Sequence, residues 1–344
     1  MPQDGAYLKV GVAAHAFIRL VRPRGLGHHG AAMNVLSDII LPAGRSGIDL
    51  ALYILLPVTI VMLSAMRLVE NWGWLDRLVD VVAPLLRPFG LTGLGIFAAL
   101  QVNLVGFAAP IATLAMMEQR GASDRHLAAA FAMVLAMSQA NASLPMTAFG
   151  LHLGATLLFS LAGGLLAAAA TTYVSGRHLS TGDHVTDQHP HHQHRSGPKG
   201  ILEVINGAGA EAFRISIGAI PMLVLSMVAV TALRQYGAIT ALSRLLAPGM
   251  SGLGIDPVLL LPIVTKYLAG GTAMLAVMDN MVRHGQISVA LMNASAGFLI
   301  HPMDLPGVAI LASSGRRVGA VWRPAVAGSL AGIALRTLLH ILWG

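Results

Sequence analysis

Four ionisable residues set in apolar surroundings are the first candidates for chemistry in this chain: Lys266, Asp279, His301 and Asp304. A charged side chain at membrane depth costs at least about 2.5–3.5 kcal/mol on insertion scales, so each needs a reason to be there. Lys266 follows Pro262 and stands between Thr265 and Tyr267. Its ammonium either counters an anionic group or snorkels to an interface. Asp279, beside Asn280, lies at the far end of the same segment, where a cap or a surface position accounts for it better. His301 and Asp304 flank Pro302 in the turn His301-Pro302-Met303-Asp304-Leu305-Pro306. A histidine with an aspartate binds a metal, relays protons or hydrogen-bonds a base, unless the turn simply lies in water.

A second, uncharged set sits in Ser138-Gln139-Ala140-Asn141-Ala142-Ser143-Leu144-Pro145 and at Thr147. Ser138, Gln139, Asn141, Ser143 and Thr147 suit hydrogen bonding to a sugar, a nucleobase or a partly hydrated ion. Small polar residues also glue membrane helices together. Gln101 and Asn103 join this set, because an internal repeat places them opposite Thr265 and Tyr267. Six histidines (His178, His184, His189, His191, His192 and His194) mark the polar stretch Ser175 to Gly200. Neutral imidazoles bind Zn²⁺, Ni²⁺ or Cu²⁺, and His189, His191, His192 and His194 are the metal-ligand candidates, though no carboxylate pattern fixes a geometry. The 17 methionines read as core filler.

Other chemistries are excluded. The chain has no cysteine, so disulfides, iron–sulfur clusters and thiolate metal sites are absent. It contains no His-Glu-x-x-His, Walker or G-x-S-x-G motif, and no catalytic residues are assigned: the chain is not read as an enzyme. Only 11% of its 344 residues are charged and 55% are hydrophobic, with mean hydropathy +0.70. A soluble domain carries roughly 25% charged residues. The formal net charge of +7 fits cytoplasmic loops against anionic headgroups. No basic block is interleaved with stacking aromatics, so nucleic acid is not an expected partner.

The elements that must position these residues come in two copies. Pro57 pairs with Pro221 at an offset of 164 (221 − 57), as do Gly73 with Gly237, Pro84 with Pro248, Gly90 with Gly254, Gly106 with Gly270 and Gly121 with Gly285. Leu144-Pro145 pairs with Leu305-Pro306 at 161 (306 − 145). Shared glycines and prolines imply shared backbone geometry. The first copy opens with the span Ile48–Val69 and an interfacial helix over Trp72–Phe89. A long apolar segment, Thr92–Met117, follows with Gly106 and Pro110 inside it, then His126–Ala140 and Met146–Val174. The second copy runs Ala212–Leu233, Tyr236–Leu253, Pro257–Met281, Ile287–Ile300, Gly307–Ser313 and Ala325–Trp343.

Ile287–Ile300, at 14 residues, is too short to span. With Gly307–Ser313 it reads as a re-entrant hairpin, and Ser138–Pro145 as the tip of its first-copy partner. Hairpins make the two copies inverted, which is the preferred reading. Cytoplasmic Arg120, Arg125, Arg283, Arg316 and Arg317 would suit parallel copies. The N-terminal stretch lacks a signal-peptide pattern, and Tyr7–Val21 is weakly amphipathic.

Several of these features resemble the nucleoside-recognition or Gate domain family. They are the spans with a central proline (Ile48–Val69, Ala212–Leu233), the turns Trp72-Gly73 and Tyr236-Gly237, and the short helices ending at Pro84 and Pro248. The steps Gly90-Leu91 and Gly254-Ile255, and the segments broken at Gly106 and Gly270, complete the likeness over residues 46–174 and 208–343. The family includes the Gate modules of ferrous-iron permeases, the core of concentrative nucleoside transporters and paired spore-maturation-type membrane proteins. Unlike the iron permeases, this sequence shows no GTPase domain and no thiolate in its broken segments. Against the nucleoside transporters it is short and lacks a glutamate-rich substrate motif.

The resemblance implies an all-α polytopic membrane protein of two Gate-like repeats with broken helices and re-entrant hairpins. The expected divisions are a cytoplasmic or interfacial segment over 1–47, repeat one over 48–174, a His-rich linker over 175–207 and repeat two over 208–344. The expected function is inner-membrane transport of a small polar solute, a nucleoside or nucleobase, by alternating access in a bacterial cell. The alternatives are a divalent metal ion permease and a non-transporting partner subunit, as a homo-oligomer or a paired membrane subunit. No cofactor is expected beyond H⁺ or Na⁺ as coupling ion.

Overall fold

The computed structural model describes residues 35–106, 109–182, 200–252 and 254–343, and every regular element among them is helical. Tyr7–Val21 lies outside the described residues, as do His184, His189, His191, His192 and His194.

Helix α1 spans Leu36–Val69 and includes π-helical stretches at Leu36–Ile40 and Leu50–Leu55. It starts twelve residues earlier than the expected Ile48 (48 − 36), because Leu36, Ile39, Ile40, Leu41 and Ala43 extend its apolar surface. Helix α2 (Trp74–Leu86) follows, then α3 (Gly93–Leu104) and α4 (Pro110–Gln119). Next come α5 (Asp124–Ala136), α6 (Ala140–Met146) and α7 (Leu153–Ala170), whose last turn continues as a π-helix over Thr171–Ser175. The second half contains α8 (Ile201–Gln235), α9 (Ala238–Gly252), α10 (Leu260–Ala269) and α11 (Gly271–Arg283). It closes with α12 (Val289–Leu299), α13 (Leu305–Ala312), α14 (Arg316–Ala320) and α15 (Trp322–Trp343). Apart from α14, which the second half adds before its last helix, the two halves follow a common order: long helix, short helix, two helices joined at a glycine, helix and short helix across a break, long closing helix. In all four glycine pairs at offset 164, both members have positive φ.

One expectation is corrected. The chain doubles back at Gly106 and Gly270, and not at Ser138–Pro145 or His301–Pro306. Thr113 Oγ1 donates to Gln101 Oε1 at 2.7 Å across twelve residues. A continuous helix would hold those positions about 18 Å apart, at about 1.5 Å per residue. Helix α3 therefore packs on α4 as a hairpin. Likewise α10 packs on α11, and Leu261, Val277 and Asn280 line one cavity of about 140 Å³. The reversals need backbone that glycine alone adopts readily, and φ is 142° at Gly106 and 93° at Gly270. By contrast α5 and α6 form one broken span: Asp124–Phe149 is long and apolar enough to cross as a unit. Helices α12 and α13 hold the matching place in the second half.

Burial separates centre from periphery. The most apolar window of Asp124–Phe149 is 94% buried, against 18% in α1 and 21% in α8, so α5–α6 forms the core while α1 and α8 present apolar surface outward. Helices α7 and α15 pack on α5 and on each other. They meet at glycines, since a Cβ on Gly332 would lie 2.2 Å from the Gly163 carbonyl oxygen. On one side of the bundle a polar clamp joins the halves. Glu118 Oε2 accepts from the backbone N–H of Arg317 at 3.0 Å and Val318 at 3.2 Å. The Arg317 guanidinium donates to Asp124 Oδ1 at 2.6 and 2.9 Å and to the Ala122 carbonyl at 2.7 Å.

Candidate functional site

Both hairpin tips and both helix breaks border a single cavity of about 580 Å³. Val105, Gly106 and Ala109 come from the first tip, and Ala269, Gly270, Gly271 and Thr272 from the second. Gln139 and Asn141 come from the α5–α6 break, and Asp304, Pro306 and Gly307 from the α12–α13 break. Leu55 on α1 and Glu211, Arg214, Ile215 and Gly218 on α8 form the remaining wall, with Ile310 from α13. Non-helical backbone at membrane depth persists only where it is buried in protein or lines such a cavity.

Asn141 touches both tips. Its Nδ2 donates to Thr272 Oγ1 at 3.0 Å, and its Oδ1 lies so near Gly106 that a Cβ there would be 3.2 Å away. That Oδ1 has no hydrogen-bond partner among the described residues, and neither does Gln139 Nε2. Gln139 is 1% exposed, and its amide abuts Gly271, where a Cβ would stand 1.6 Å from Nε2. One buried acceptor therefore stands against the first tip and one buried donor against the second, both unsatisfied. An unmade hydrogen bond of this kind costs about 1–3 kcal/mol, which a polar ligand would relieve.

Asp304 caps α13 by accepting from the Gly307 N–H at 2.7 Å, and its other oxygen pairs with the Lys266 ammonium. Both side chains are buried, at 0% and 3% exposure. Lys266 therefore neither snorkels nor stands free. Its charge is spent on Asp304, and the pair ties hairpin arm α10 to the start of α13. His301 is fully buried, with Nδ1 accepting from the Met303 N–H at 3.2 Å and Nε2 unpartnered among the described residues. It does not line the cavity, and the reading of this turn as lying in water is excluded.

The remaining residues expected from sequence hold the frame. Gln101 zips the first hairpin through Thr113. Asn103 Oδ1 accepts from Ser138 Oγ at 2.7 Å and Ser160 Oγ at 2.8 Å, tying the first hairpin to the α5–α6 break and to α7. Ser143, Thr147 and Thr265 each donate to a backbone carbonyl three or four residues earlier. Tyr267 donates to the Phe298 carbonyl at 3.3 Å. Asp279 pairs with Arg283 at 2.5 Å on the surface.

Four functional-looking residues escaped sequence reading. Thr272 carries no sequence signal that sets it apart from its neighbours. Glu211 and Arg214 lie at the start of the apolar run Ala212–Leu233, and the insertion cost of Arg214 was the signal available for it. Glu211 pairs with Arg67 at 2.9 Å, joining α8 to α1 beside the cavity. Arg336, wholly buried on α15, donates to the Ala136 carbonyl at 2.6 Å and the Ile300 carbonyl at 3.0 Å. It thereby satisfies the open ends of both broken helices, where the helix dipole also favours a cation.

Gly271→Ala is expected to separate site from fold. The new Cβ must displace the Gln139 amide, the free end of a flexible side chain, while alanine suits a helix better than glycine by about 1 kcal/mol. Thermal stability stays within about 1 kcal/mol of the parent, and solute affinity falls about tenfold by calorimetry.

Comparison with known proteins agrees with this architecture. Residues 52–175 match the Gate family model, described as nucleoside recognition. Solved structures of the concentrative nucleoside transporter CNTnw share the fold. In an inward-facing substrate-bound state, CNTnw superposes with TM-score 0.63 at 15% identity, covering 91% of this chain and 84% of that chain. A doubly substituted CNTnw in an outward-facing state gives 0.62 at 16% identity, covering 92% and 86%. A singly substituted form in an intermediate state gives 0.61 at 16%, covering 100% and 88%. No curated protein sequence matches the chain.

Proposed function

We propose that this chain is a multi-pass transporter of the bacterial inner membrane that carries a nucleoside or nucleobase by alternating access. The observation that carries the reading is the buried pair of unsatisfied amide atoms on the wall of a ligand-sized cavity, Asn141 Oδ1 beside the first hairpin tip and Gln139 Nε2 beside the second. A donor and an acceptor lining one cavity suit the complementary groups of a nucleobase or a sugar. The Gate match over residues 52–175 and the CNTnw fold support the same reading. Inverted halves would let the hairpin tips open the cavity to each side in turn.

A divalent-metal permease is less well supported. Among the described residues no group of three or more His, Cys, Asp or Glu side chains converges.

The test is uptake of radiolabelled uridine and adenosine into proteoliposomes. The expected result is saturable uptake that Asn141→Ala reduces at least tenfold while detergent-solubilised protein remains monodisperse. Absence of uptake by the parent chain, or parental rates in the variant, would count against the reading.

A further inference from the structure

We propose that the solute carries an anionic group, a carboxylate or a phosphate, and that Arg214 binds it. This rests on the cavity being the transport site described above. Among the described residues, three charged ones line that cavity: Glu211, Arg214 and Asp304. Glu211 is paired with Arg67 at 2.9 Å, and Asp304 with Lys266. Arg214 makes no ion pair or hydrogen bond among the described residues. With the other two charges matched, the wall carries one unmatched positive charge.

Its position makes that charge informative. Arg214 is residue 14 (214 − 201 + 1) of the 35 in α8, so about 20 Å of helix precedes it and about 32 Å follows. It stands at the start of the apolar run Ala212–Leu233 and lines the cavity, and an ionisable residue in that setting marks a substrate path by default. A guanidinium presents a planar fork that meets a carboxylate or phosphate through two parallel bonds. Gln139 and Asn141 add neutral donor and acceptor atoms elsewhere on the same wall. A cavity with one cation and a set of neutral amides discriminates for a ligand with an anionic end and a polar uncharged body. Among nucleobase-like solutes, a carboxylated pyrimidine or a nucleoside monophosphate has that form.

The test measures calorimetric affinities of the purified full-length chain for uridine, uracil-6-carboxylate, uridine 5′-monophosphate and inorganic phosphate. The parent chain is compared with Arg214→Gln and Arg214→Lys. The expected result is that at least one anionic pyrimidine binds the parent about 10- to 100-fold more tightly than uridine does. That ratio should collapse toward one in Arg214→Gln and be partly kept in Arg214→Lys, which retains the charge but not the fork. Which anion wins assigns the carboxylate or the phosphate. Uridine binding as tightly as either anionic pyrimidine, or a ratio unmoved by Arg214→Gln, overturns the inference and leaves the transporter reading standing. Phosphate alone binding as tightly as the nucleotide overturns it as well. Absence of binding by every ligand overturns this inference together with the functional reading.

Discussion

Replacing Lys266 by methionine is expected to destabilise the protein by about 3–5 kcal/mol, because it strands a buried carboxylate. Asp304 would keep its bond to the Gly307 N–H but lose the Lys266 ammonium, in a pocket where its side chain is 3% exposed. Breaking one side of such a pair costs far more than removing both, since a neutral pair of similar shape is often nearly as stable. Lys266→Met with Asp304→Asn should therefore recover most of the loss, and asparagine still caps a helix well. Heat-induced unfolding in mild detergent measures both. A single variant as stable as the parent would mean that water reaches the pair. The same reasoning separates two roles at the two helix breaks: Asp304→Ala disturbs the fold, whereas Asn141→Ala disturbs the site.

Arg336→Met should cost about as much, roughly 3–6 kcal/mol, as two charge-assisted bonds of about 1.5–3 kcal/mol each are lost. The guanidinium bridges Ala136 and Ile300, the carbonyl ends of the two helix breaks, and its side chain crosses the groove over Gly163. No other described side chain donates to either carbonyl. Arg336→Lys preserves the charge but is shorter and lacks two separate nitrogens aimed at different carbonyls, so it recovers part of the loss. Equal stability for the lysine variant and the parent would show that charge, and not the fork, holds the breaks together. Unfolding in detergent, followed by fluorescence of the four tryptophans, gives the comparison.

The sequence made the membrane character, the helix order and the two glycine breaks readable, since hydropathy and glycine placement report local backbone demands. It also pointed to Gln139, Asn141 and Asp304, because polar side chains in apolar runs are costly and conspicuous. It misplaced the hairpins. A 14-residue apolar segment before a proline-rich turn fits a re-entrant arm and half of a broken span equally well. What decides is the long-range bond between Gln101 and Thr113 and the packing of α10 on α11, and neither has a local signature. Arg336 escaped notice for a related reason: one arginine in a long apolar helix reads as a span that tolerates a charge. Its purpose is visible only when Ala136 and Ile300, 164 residues apart (300 − 136), are seen on either side of it. Arg214 is the instructive omission, since the cost of its insertion was legible from the start.

The most direct test uses the absence of cysteine from the chain. Ile310→Cys places a single thiol on the cavity wall, and Tyr173→Cys places one at an exposed position on α7 that does not line it. Alkylation rates with a small water-soluble thiol reagent are compared in reconstituted protein, with and without a saturating nucleoside-type solute. A nucleoside-binding cavity at the hairpin tips predicts that the solute slows labelling at position 310 several-fold and leaves position 173 unchanged. Equal labelling at position 310 in the presence and absence of every nucleoside-type solute, charged or neutral, would contradict it.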